Sequence, residues 1–185
     1  MRRLVLKMSM TLDGYVAGPE GEMDWAARTS HPDGKAWVGQ TLEEAGAHVI
    51  GRRLFAQFVG YWPTSADPLA EAMNSIPKIV FSRSSDPDLP SAPGWEDPRV
   101  LGADLAGDIE ALKAEPGKDL LAQGGVSFGR SLVQSGLVDE YRLVVHPVVL
   151  GSGLPLFDGA EPFDLDLVDA VKFPSGSQAL TYRPK

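Results

Sequence analysis

The stretch DLLAQGGVSFGRSLVQSG, residues 119–136, decides the fold. Its apolar residues 120–122 predict a short buried strand, and Gly124-Gly125 allows the backbone to turn tightly. Apolar residues then recur near helical spacing over 126–137, and Gly136 is a natural stop. A strand that runs through bare glycines into a helix exposes N–H groups at the positive end of the helix dipole, which suits a phosphate. Adjacent glycines also occur in plain turns, so this stretch alone leaves both interpretations open.

The length of the chain indicates a single domain that spans residues 1–185. A formal net charge of −8, with no cluster of Lys and Arg, argues against a nucleic-acid surface. The chain has no cysteine, which excludes thiol catalysis and thiolate metal sites and fits a reducing cytoplasm. No segment reaches the apolar length of a membrane span. We therefore expect a cytoplasmic protein that binds neither membranes nor nucleic acid.

Predicted strands and helices alternate along the chain. Strands are expected at 4–10, 47–50, 78–81, 99–101, 120–122 and 141–150, with a closing pair at 171–173 and 179–182. Helices are expected at 32–46, 54–58, 68–74, 104–114 and 126–137. Residues 11–21 predict a mobile loop, and the proline-rich residues 86–98 an irregular surface segment. The alternation predicts an α/β fold with a mainly parallel central sheet, helices on both faces and antiparallel strands at the C-terminal end.

Three of these strands end in residues that suit an anionic ligand. They are followed by Gly51-Arg52-Arg53, by Ser82-Arg83-Ser84 and by Gln123-Gly124-Gly125. In an open α/β sheet, ligands bind outside the carboxyl ends of the strands, and guanidinium groups at a helix start can grip phosphate. Each turn has a plain alternative, a solvated helix start or a polar turn. Together the three favour a dinucleotide that carries an extra phosphate.

Other chemistries lack their motifs. Neither G-x-G-x-x-G after the first strand nor G-x-x-x-x-G-K-[ST] is present. The histidines at 31, 48 and 146 are scattered, which gives a metal site little support, and His146 before Pro147 is interpreted as a packed or hydrogen-bonded side chain. Ser127 does not lie in a G-x-S-x-G elbow, so hydrolysis by a Ser-His-Asp triad has no support. We expect no metal.

Four stretches, together with the closing strands, carry a resemblance to a known family. They read SMTLDGYVAG (9–18), VIGRRLF (49–55), IVFSRS (79–84) and LLAQGGVSFGRSLVQSGLVDEYRLVVHPVVLGSGLPLF (120–157). With them the chain resembles the dihydrofolate reductase fold. More closely, it resembles stand-alone relatives of the RibD C-terminal reductase domain of bacterial riboflavin-biosynthesis deaminase-reductases. The last stretch is the most specific, because generic α/β patterning does not produce LVDE, HPVVLGSG and LPLF in that order.

The resemblance implies an NADPH-dependent reductase with its cofactor along the three strand ends. By that resemblance, Gly51, Arg52 and Arg53 meet the cofactor phosphates. Ser82, Arg83 and Ser84 hold the adenosine ribose with its 2′-phosphate. The turn near the pyrophosphate and nicotinamide is formed by Gln123, Gly124, Gly125 and Val126. Gln123 departs from the family pattern, since dihydrofolate reductases have the first glycine of a triple there.

Hydride transfer also requires a walled substrate site and a proton source. The expected walls are Met10, Trp25, Trp37 and Val144, with a plain core role as the alternative for each. Asp33 lies near the position of the carboxylate that dihydrofolate reductase uses, and Asp13 directly follows the first strand. Capping a turn is the alternative for Asp13. A half-buried carboxyl beside the nicotinamide would favour its neutral form, as a proton donor requires.

The expected reaction is therefore NADPH-dependent reduction of a pyrimidine or pterin-like heterocycle. The nearest named activity is 5-amino-6-(5-phosphoribosylamino)uracil reductase of riboflavin biosynthesis. That substrate carries a phosphate, for which the candidate side chains are Arg28, Lys35 and Arg130. Dihydrofolate reduction, and an NADP-binding module that has lost its chemistry, are the alternatives. The resemblance also implies a homodimer formed through the C-terminal part of the sheet.

Overall fold

The strands and helices are taken from a computed structural model of the protein, which describes residues 1–84 and 87–185. The strands are β1 (Leu4–Thr11), β2 (Tyr15–Ala17), β3 (Ala45–Gly51), β4 (Lys78–Phe81), β5 (Arg99–Leu101), β6 (Asp119–Gln123), β7 (Glu140–His146), β8 (Leu154–Pro155), β9 (Leu165–Lys172) and β10 (Gln178–Pro184). The helices are α1 (Asp24–Arg28), α2 (Pro32–Glu43), α3 (Arg52–Tyr61), α4 (Ala70–Ser75), α5 (Leu105–Ala114) and α6 (Val126–Gln134), and a 3-10 turn spans Trp62–Thr64. Residues 85 and 86, which belong to the predicted polar turn and proline-rich segment, lie outside the described residues.

Eight strands form one sheet in the order β5-β4-β3-β6-β1-β7-β10-β9. The first six in this order pair in parallel, and β10 pairs antiparallel with both β7 and β9. This confirms the predicted mainly parallel sheet with antiparallel C-terminal strands. Because the six strands run in one direction, their carboxyl ends lie along one edge of the sheet. All three predicted anion turns follow strands of this group.

Helices cover both faces of the sheet, as predicted. On one face, Leu4 and Leu6 of β1 pack in a core that includes Ile109 of α5 and Leu132 of α6. On the other face, Val5 packs in a core with side chains of α2, α3 and α4: Leu42, Phe55, Val59 and Met73. The strict alternation along β1 separates the two cores. Among the described residues, no helix has both the length and the apolar character to cross a membrane.

The structure departs from the predicted elements in several places: β9 begins at Leu165 and not at 171, α2 ends at Glu43 and not at 46, and α1 was not predicted. The predicted loop at 11–21 contains β2, which pairs antiparallel with β8 in a separate two-stranded sheet. Strand β7 ends at His146 and does not continue to Leu150. Pro147 accounts for this end, since a proline has no N–H to donate to a neighbouring strand. The chain after His146 therefore leaves the sheet at the same edge as the anion turns.

Candidate active site at the carboxyl edge of the sheet

A cleft of about 1110 Å³ opens beyond the carboxyl ends of β3, β4, β5 and β6. It brings together most of the residues that the sequence assigned to a cofactor: Gly51, Arg52, Arg53, Ser82, Arg83, Ser84 and Gly125. The remaining three, Gln123, Gly124 and Val126, are their neighbours in the β6–α6 turn. We call this space the large cleft. Arginine and serine side chains and bare glycines together line it.

The large cleft receives the N-termini of two helices. Gly51 precedes α3 and Gly125 precedes α6, and among the described residues neither helix start is capped by a side chain. The first-turn N–H groups of both helices therefore remain available at the positive ends of two helix dipoles. Arg52 and Arg53 are exposed beside them, and the Arg52 guanidinium donates a 3.5 Å hydrogen bond to the Asp88 carbonyl. Backbone amides and guanidinium groups together form a site for phosphate.

Glycine is required at the turns that line the large cleft. A Cβ at Gly51 would lie 3.0 Å from Cβ of Phe128. Gly124 has φ +77° and Gly125 has φ +76°, and a Cβ at Gly124 would lie 3.2 Å from Cδ2 of Leu54. Side chains at these positions would crowd α3 against α6. Their absence lets the backbone of both turns border the cleft directly.

A second cavity of about 240 Å³ lies on the α2 face of the sheet. We call it the small cavity. Its polar lining consists of Lys7, Ser9, Thr29, Ser30, His31, Lys35, Gln123, His146, Ser175 and Ser177. Apolar walls come from Val38, Trp62, Leu69, Val144 and Phe173. Because Gln123 lines the small cavity and Gly125 lines the large cleft, the β6–α6 turn separates the two spaces.

Lys7 is a cation of the small-cavity lining that the sequence prediction missed. It lies in β1 between Gln123 of β6 and Arg142 of β7, on the face covered by α2. Burial lowers the pKa of its ammonium group to about 8, and no ion pair within the described residues offsets that shift. A signal was available, because Lys7 interrupts an apolar strand at a position that faces a covered side of the sheet.

His146 lies at the other side of the small cavity, where α1 meets β7. Its Nδ1 is 2.6 Å from the Thr29 hydroxyl, and its ring lies edge-on to Trp25 at 5.3 Å between centroids. Burial first, and then the charge of Lys7, lower the pKa of His146 to about 4, so the ring is neutral near pH 7. This hydrogen-bonded, packed state is the one expected from the sequence. In the described ranges, no group of three or more His, Asp or Glu side chains is placed to hold a metal.

The two predicted acids lie outside the small cavity. Asp13 is exposed, and its carboxylate accepts hydrogen bonds from the Thr11 hydroxyl and from the N–H groups of Leu150 and Gly151. These bonds, led by that of Thr11, lower the pKa of Asp13. The expected half-buried, neutral carboxyl is therefore not found at Asp13. Asp33 is exposed in the first turn of α2, with its carboxylate 3.5 Å from His31 Nδ1.

The four predicted wall residues have different positions. Val144 lines the small cavity. Trp25 is completely buried behind it, against His146. Trp37 packs against the small cluster that contains Val144 and Phe173. Met10 packs into the core on the opposite face of the sheet, because it alternates with Ser9 along β1.

Gln123, where a third glycine was expected, lines the small cavity. Its amide nitrogen lies 3.4 Å from Sδ of Met73, and its buried Oε1 has no hydrogen-bond partner among the described residues. Its neighbour Gly124 donates an N–H to the Lys7 carbonyl at 3.4 Å. The glycine turn that follows Gln123 is therefore held to β1 at Lys7.

Comparison with known proteins gives this arrangement a family. The family profile of the RibD C-terminal domain matches residues 2–179. The chain belongs to the RibD C-terminal domain family. A curated relative, the uncharacterized protein YyaP of Bacillus subtilis (strain 168), is 35% identical over 189 residues, which cover 98% of this chain and 94% of YyaP.

Solved structures place this RibD C-terminal domain in a wider fold group. One neighbour is the Thermotoga maritima diaminohydroxyphosphoribosylaminopyrimidine deaminase/5-amino-6-(5-phosphoribosylamino)uracil reductase, with TM-score 0.68 and 17% identity, over 100% of this chain and 57% of that one. Another is dihydrofolate reductase from Enterococcus faecalis in complex with NADP(H), with TM-score 0.65 and 14% identity, over 99% and 96% of the two chains. The dihydrofolate reductase-like fold predicted from the sequence is confirmed.

Proposed function

We propose that this RibD C-terminal domain is an NADPH-dependent reductase of a heterocyclic small molecule. One observation carries the proposal: the small cavity, which Lys7 lines, lies across the β6–α6 turn from the large cleft. A dinucleotide in the large cleft would reach this turn with one end. A substrate in the small cavity would then lie beside it. The reductase relatives in the same fold group agree with this reading.

The large cleft fits the cofactor on its own chemistry. The free N–H groups before α3 and α6 suit the pyrophosphate, and Arg52 and Arg53 add charge at the same edge. We propose that Ser82, Arg83 and Ser84 hold the adenosine ribose with its 2′-phosphate, which favours NADPH over NADH. Gln123, Gly124, Gly125 and Val126 would border the nicotinamide end. When bound, the reduced nicotinamide supplies a hydride to an electrophilic carbon of the substrate.

Lys7 is the proton donor that this site offers. Reduction of a C=O or C=N bond places an electron pair on oxygen or nitrogen, and a proton must reach that atom. An ammonium with a pKa of about 8 is protonated near pH 7 and still gives up its proton readily. After the transfer, the neutral amine takes a proton from water. Asp13, which is exposed and anionic, and Asp33, which lies outside the cavity, are less suited to this step.

The proposal is tested in two steps on the same protein. NADPH and NADH are titrated by calorimetry, and oxidation of bound NADPH is then followed by absorbance with heterocyclic substrates, including the phosphoribosylaminouracil of the riboflavin pathway and dihydrofolate. We expect saturable NADPH binding, weaker NADH binding and turnover with a heterocycle. Binding without turnover on any of them would favour the inactive NADP-binding module. No binding of either nucleotide would remove both alternatives.

We also propose that the domain forms a homodimer through β9. This strand is the edge of the sheet beside β10, and Leu167 and Val168 on it are 56% and 48% exposed. An unpaired, apolar edge strand is a surface that a second copy can cover. Sedimentation of the native chain should give a dimer, and Leu167→Lys should shift it to a monomer. A native chain that sediments as a monomer at high concentration would contradict this.

A further inference from the structure

The hydrogen bonds of α1 fix which nitrogen of His146 carries the ring proton. The Thr29 hydroxyl has a single hydrogen, which it donates to the Trp25 carbonyl at 3.0 Å, since the Thr29 backbone N–H is directed to the Ala27 carbonyl. The hydroxyl oxygen therefore accepts at 2.6 Å from His146 Nδ1, which must carry the proton. The ring is neutral near pH 7, so its Nε2 has a lone pair and no hydrogen.

The Nε2 lone pair of His146 has no donor within the part of the chain that the structure describes. His146 is only 6% exposed and Nε2 is buried, and a buried acceptor is costly to leave unpaired. The Ser177 hydroxyl lies at the other nitrogen, 3.5 Å from Nδ1. Trp25 packs edge-on against the ring, but its indole N–H is not bonded to Nε2. The lone pair therefore requires a donor that can move to it.

Lys7 can supply this donor. Lys7 and His146 lie on the same face of the neighbouring strands β1 and β7, and both line the small cavity. Burial, and then the charge of Lys7, lower the pKa of His146, so the ammonium acts directly on the ring. Burial alone lowers the pKa of Lys7 to about 8, with no hydrogen bond or ion pair in the described ranges to offset it. A flexible four-carbon stem lets the ammonium reach its acceptor.

We propose that His146 is a positioning residue for Lys7: its Nε2 accepts a hydrogen bond from the Lys7 ammonium, while its Nδ1–H holds Thr29. The inference rests on the proposed function, in which Lys7 is the proton donor. One ammonium hydrogen is then held at the end of β7, and the other two remain for the substrate. An acceptor for the charged form also keeps the buried amine protonated, as a donor requires.

The other titratable groups around Lys7 and His146 already have partners. They come from α1, α2, the turn before α2 and β7, and each lies 3.8 Å or less from a carboxylate: Arg28 from Asp24, Lys35 from Asp67, His31 from Asp33, and Arg142 from Glu140 and Glu44. Lys7 is therefore the group whose titration should respond to a change at His146.

Nuclear magnetic resonance of the full chain with ¹⁵N-labelled histidine tests this geometry without cofactor or turnover, and the spectrum of His146→Leu assigns the resonances. We expect the Nδ1–H tautomer near pH 7, with an Nε2 resonance that shifts in Lys7→Met and not in Lys35→Met. Thr29→Val should release the tautomer, and Thr29→Ser should restore it. An Nε2–H tautomer in the native chain would overturn the inference. So would an Nε2 resonance that changes in Trp25→Phe and not in Lys7→Met, since the indole would then be the donor.

The pH profile of kcat connects this hydrogen bond to the chemistry. His146→Gln retains an oxygen that can accept, whereas His146→Leu has no acceptor. In His146→Leu the alkaline limb should move about one pH unit lower, since a hydrogen bond to the charged form is lost, and kcat should fall with the KM for NADPH unchanged. In His146→Gln the limb should stay near pH 8.

A merely structural role of His146 would change both variants alike and leave the limb in place. A limb that does not move in His146→Leu would therefore overturn the inference. A native chain that shows the Lys7-dependent Nε2 shift but oxidises no NADPH would contradict the proposed function and leave the hydrogen bond standing. Turnover with a limb near pH 8, but without that Nε2 shift, would contradict the positioning role alone.

Discussion

The large cleft and the small cavity are built from different parts of the chain. The cleft is bordered by backbone at glycine turns, by helix N-termini and by exposed arginines. The cavity is bordered by side chains of β1, β6, β7, α2 and the turn before β10, and the partly buried Lys7 is one of them. Substitutions other than proline leave the backbone N–H groups of the cleft in place, whereas one substitution removes the Lys7 ammonium. We therefore expect nucleotide binding to withstand changes that abolish the chemistry.

Removing the Lys7 ammonium should have the largest effect. Lys7→Met is expected to lower kcat by roughly 10²–10⁴-fold, the usual contribution of a general acid, with little change in the Kd for NADPH. Stopped-flow oxidation of bound NADPH and calorimetry measure the two quantities. Lys35→Met is the matched control, since that ammonium is already held by Asp67. A loss of NADPH affinity in Lys7→Met equal to the loss in kcat would remove the distinction between the two spaces.

The pH dependence of kcat provides a second test of Lys7. Burial lowers the pKa of Lys7 from its ordinary value to about 8, and the protonated form is the donor. The rate should therefore be constant below that pH and fall as the pH rises through about 8. His146, with a pKa of about 4, is neutral throughout this range and contributes no limb. A rate that continues to rise above pH 9 would exclude an ammonium donor.

The paired arginines at the start of α3 should have the next largest effect, on binding alone. The double variant Arg52→Ala, Arg53→Ala is expected to raise the Kd for NADPH by roughly 10- to 100-fold, since it removes charge-assisted hydrogen bonds to phosphate. The rate at saturating NADPH should change little. Because both side chains are exposed, the effect should shrink at high salt. If the double variant bound NADPH with the native Kd, the cofactor phosphates would not bind at Arg52 and Arg53.

The two spaces also differ in how far the sequence could predict them. The turns at Gly51, Ser82 and Gly125 follow strands of one parallel sheet, so topology brings them together once the alternation of strands and helices is recognised. The small cavity is lined by Lys7, Lys35 and Ser177, among others. These residues are far apart in the chain, and no local sequence pattern predicts that they line one cavity. The sequence suggests carboxylates as the acid, Asp13 after the first strand and Asp33 at the start of α2. The interruption of an apolar strand by Lys7 is a sequence signal, but the residues that surround Lys7 come from α2 and from the turn before β10 and meet it only in the folded chain.

A substitution at Gly124 tests whether the cofactor approaches the backbone of the β6–α6 turn. Gly124→Ala forces a side chain onto a residue with φ +77° and sets its Cβ 3.2 Å from Leu54. Gly136→Ala is the matched control, since Gly136 has φ +68° and a Cβ there would meet no heavy atom within 4 Å. Both variants should lose about 1–2 kcal/mol of unfolding free energy from the left-handed backbone alone. Only Gly124→Ala should also weaken the binding of NADPH, which calorimetry measures. Equal NADPH affinity in both would mean that the cofactor does not approach this turn.

The smallest effect is expected at Asp13, although its position directly after β1 makes it the more obvious acid. Its Oδ2 accepts hydrogen bonds from the N–H groups of Leu150 and Gly151 at 3.0 and 2.8 Å. These bonds connect the end of β1 to the chain beyond β7. Asp13→Asn keeps an oxygen that can accept from these groups, so we expect kcat to fall by less than the roughly 10²-fold loss that removal of a general acid produces. Because these hydrogen bonds lower the pKa of Asp13, the anion persists as the pH falls through the ordinary carboxyl range, and the native rate should show no acid limb from this group. If Asp13→Asn lowered kcat as much as Lys7→Met does, the Asp13 carboxyl would be the proton donor. The small cavity would then bind the substrate without supplying the acid.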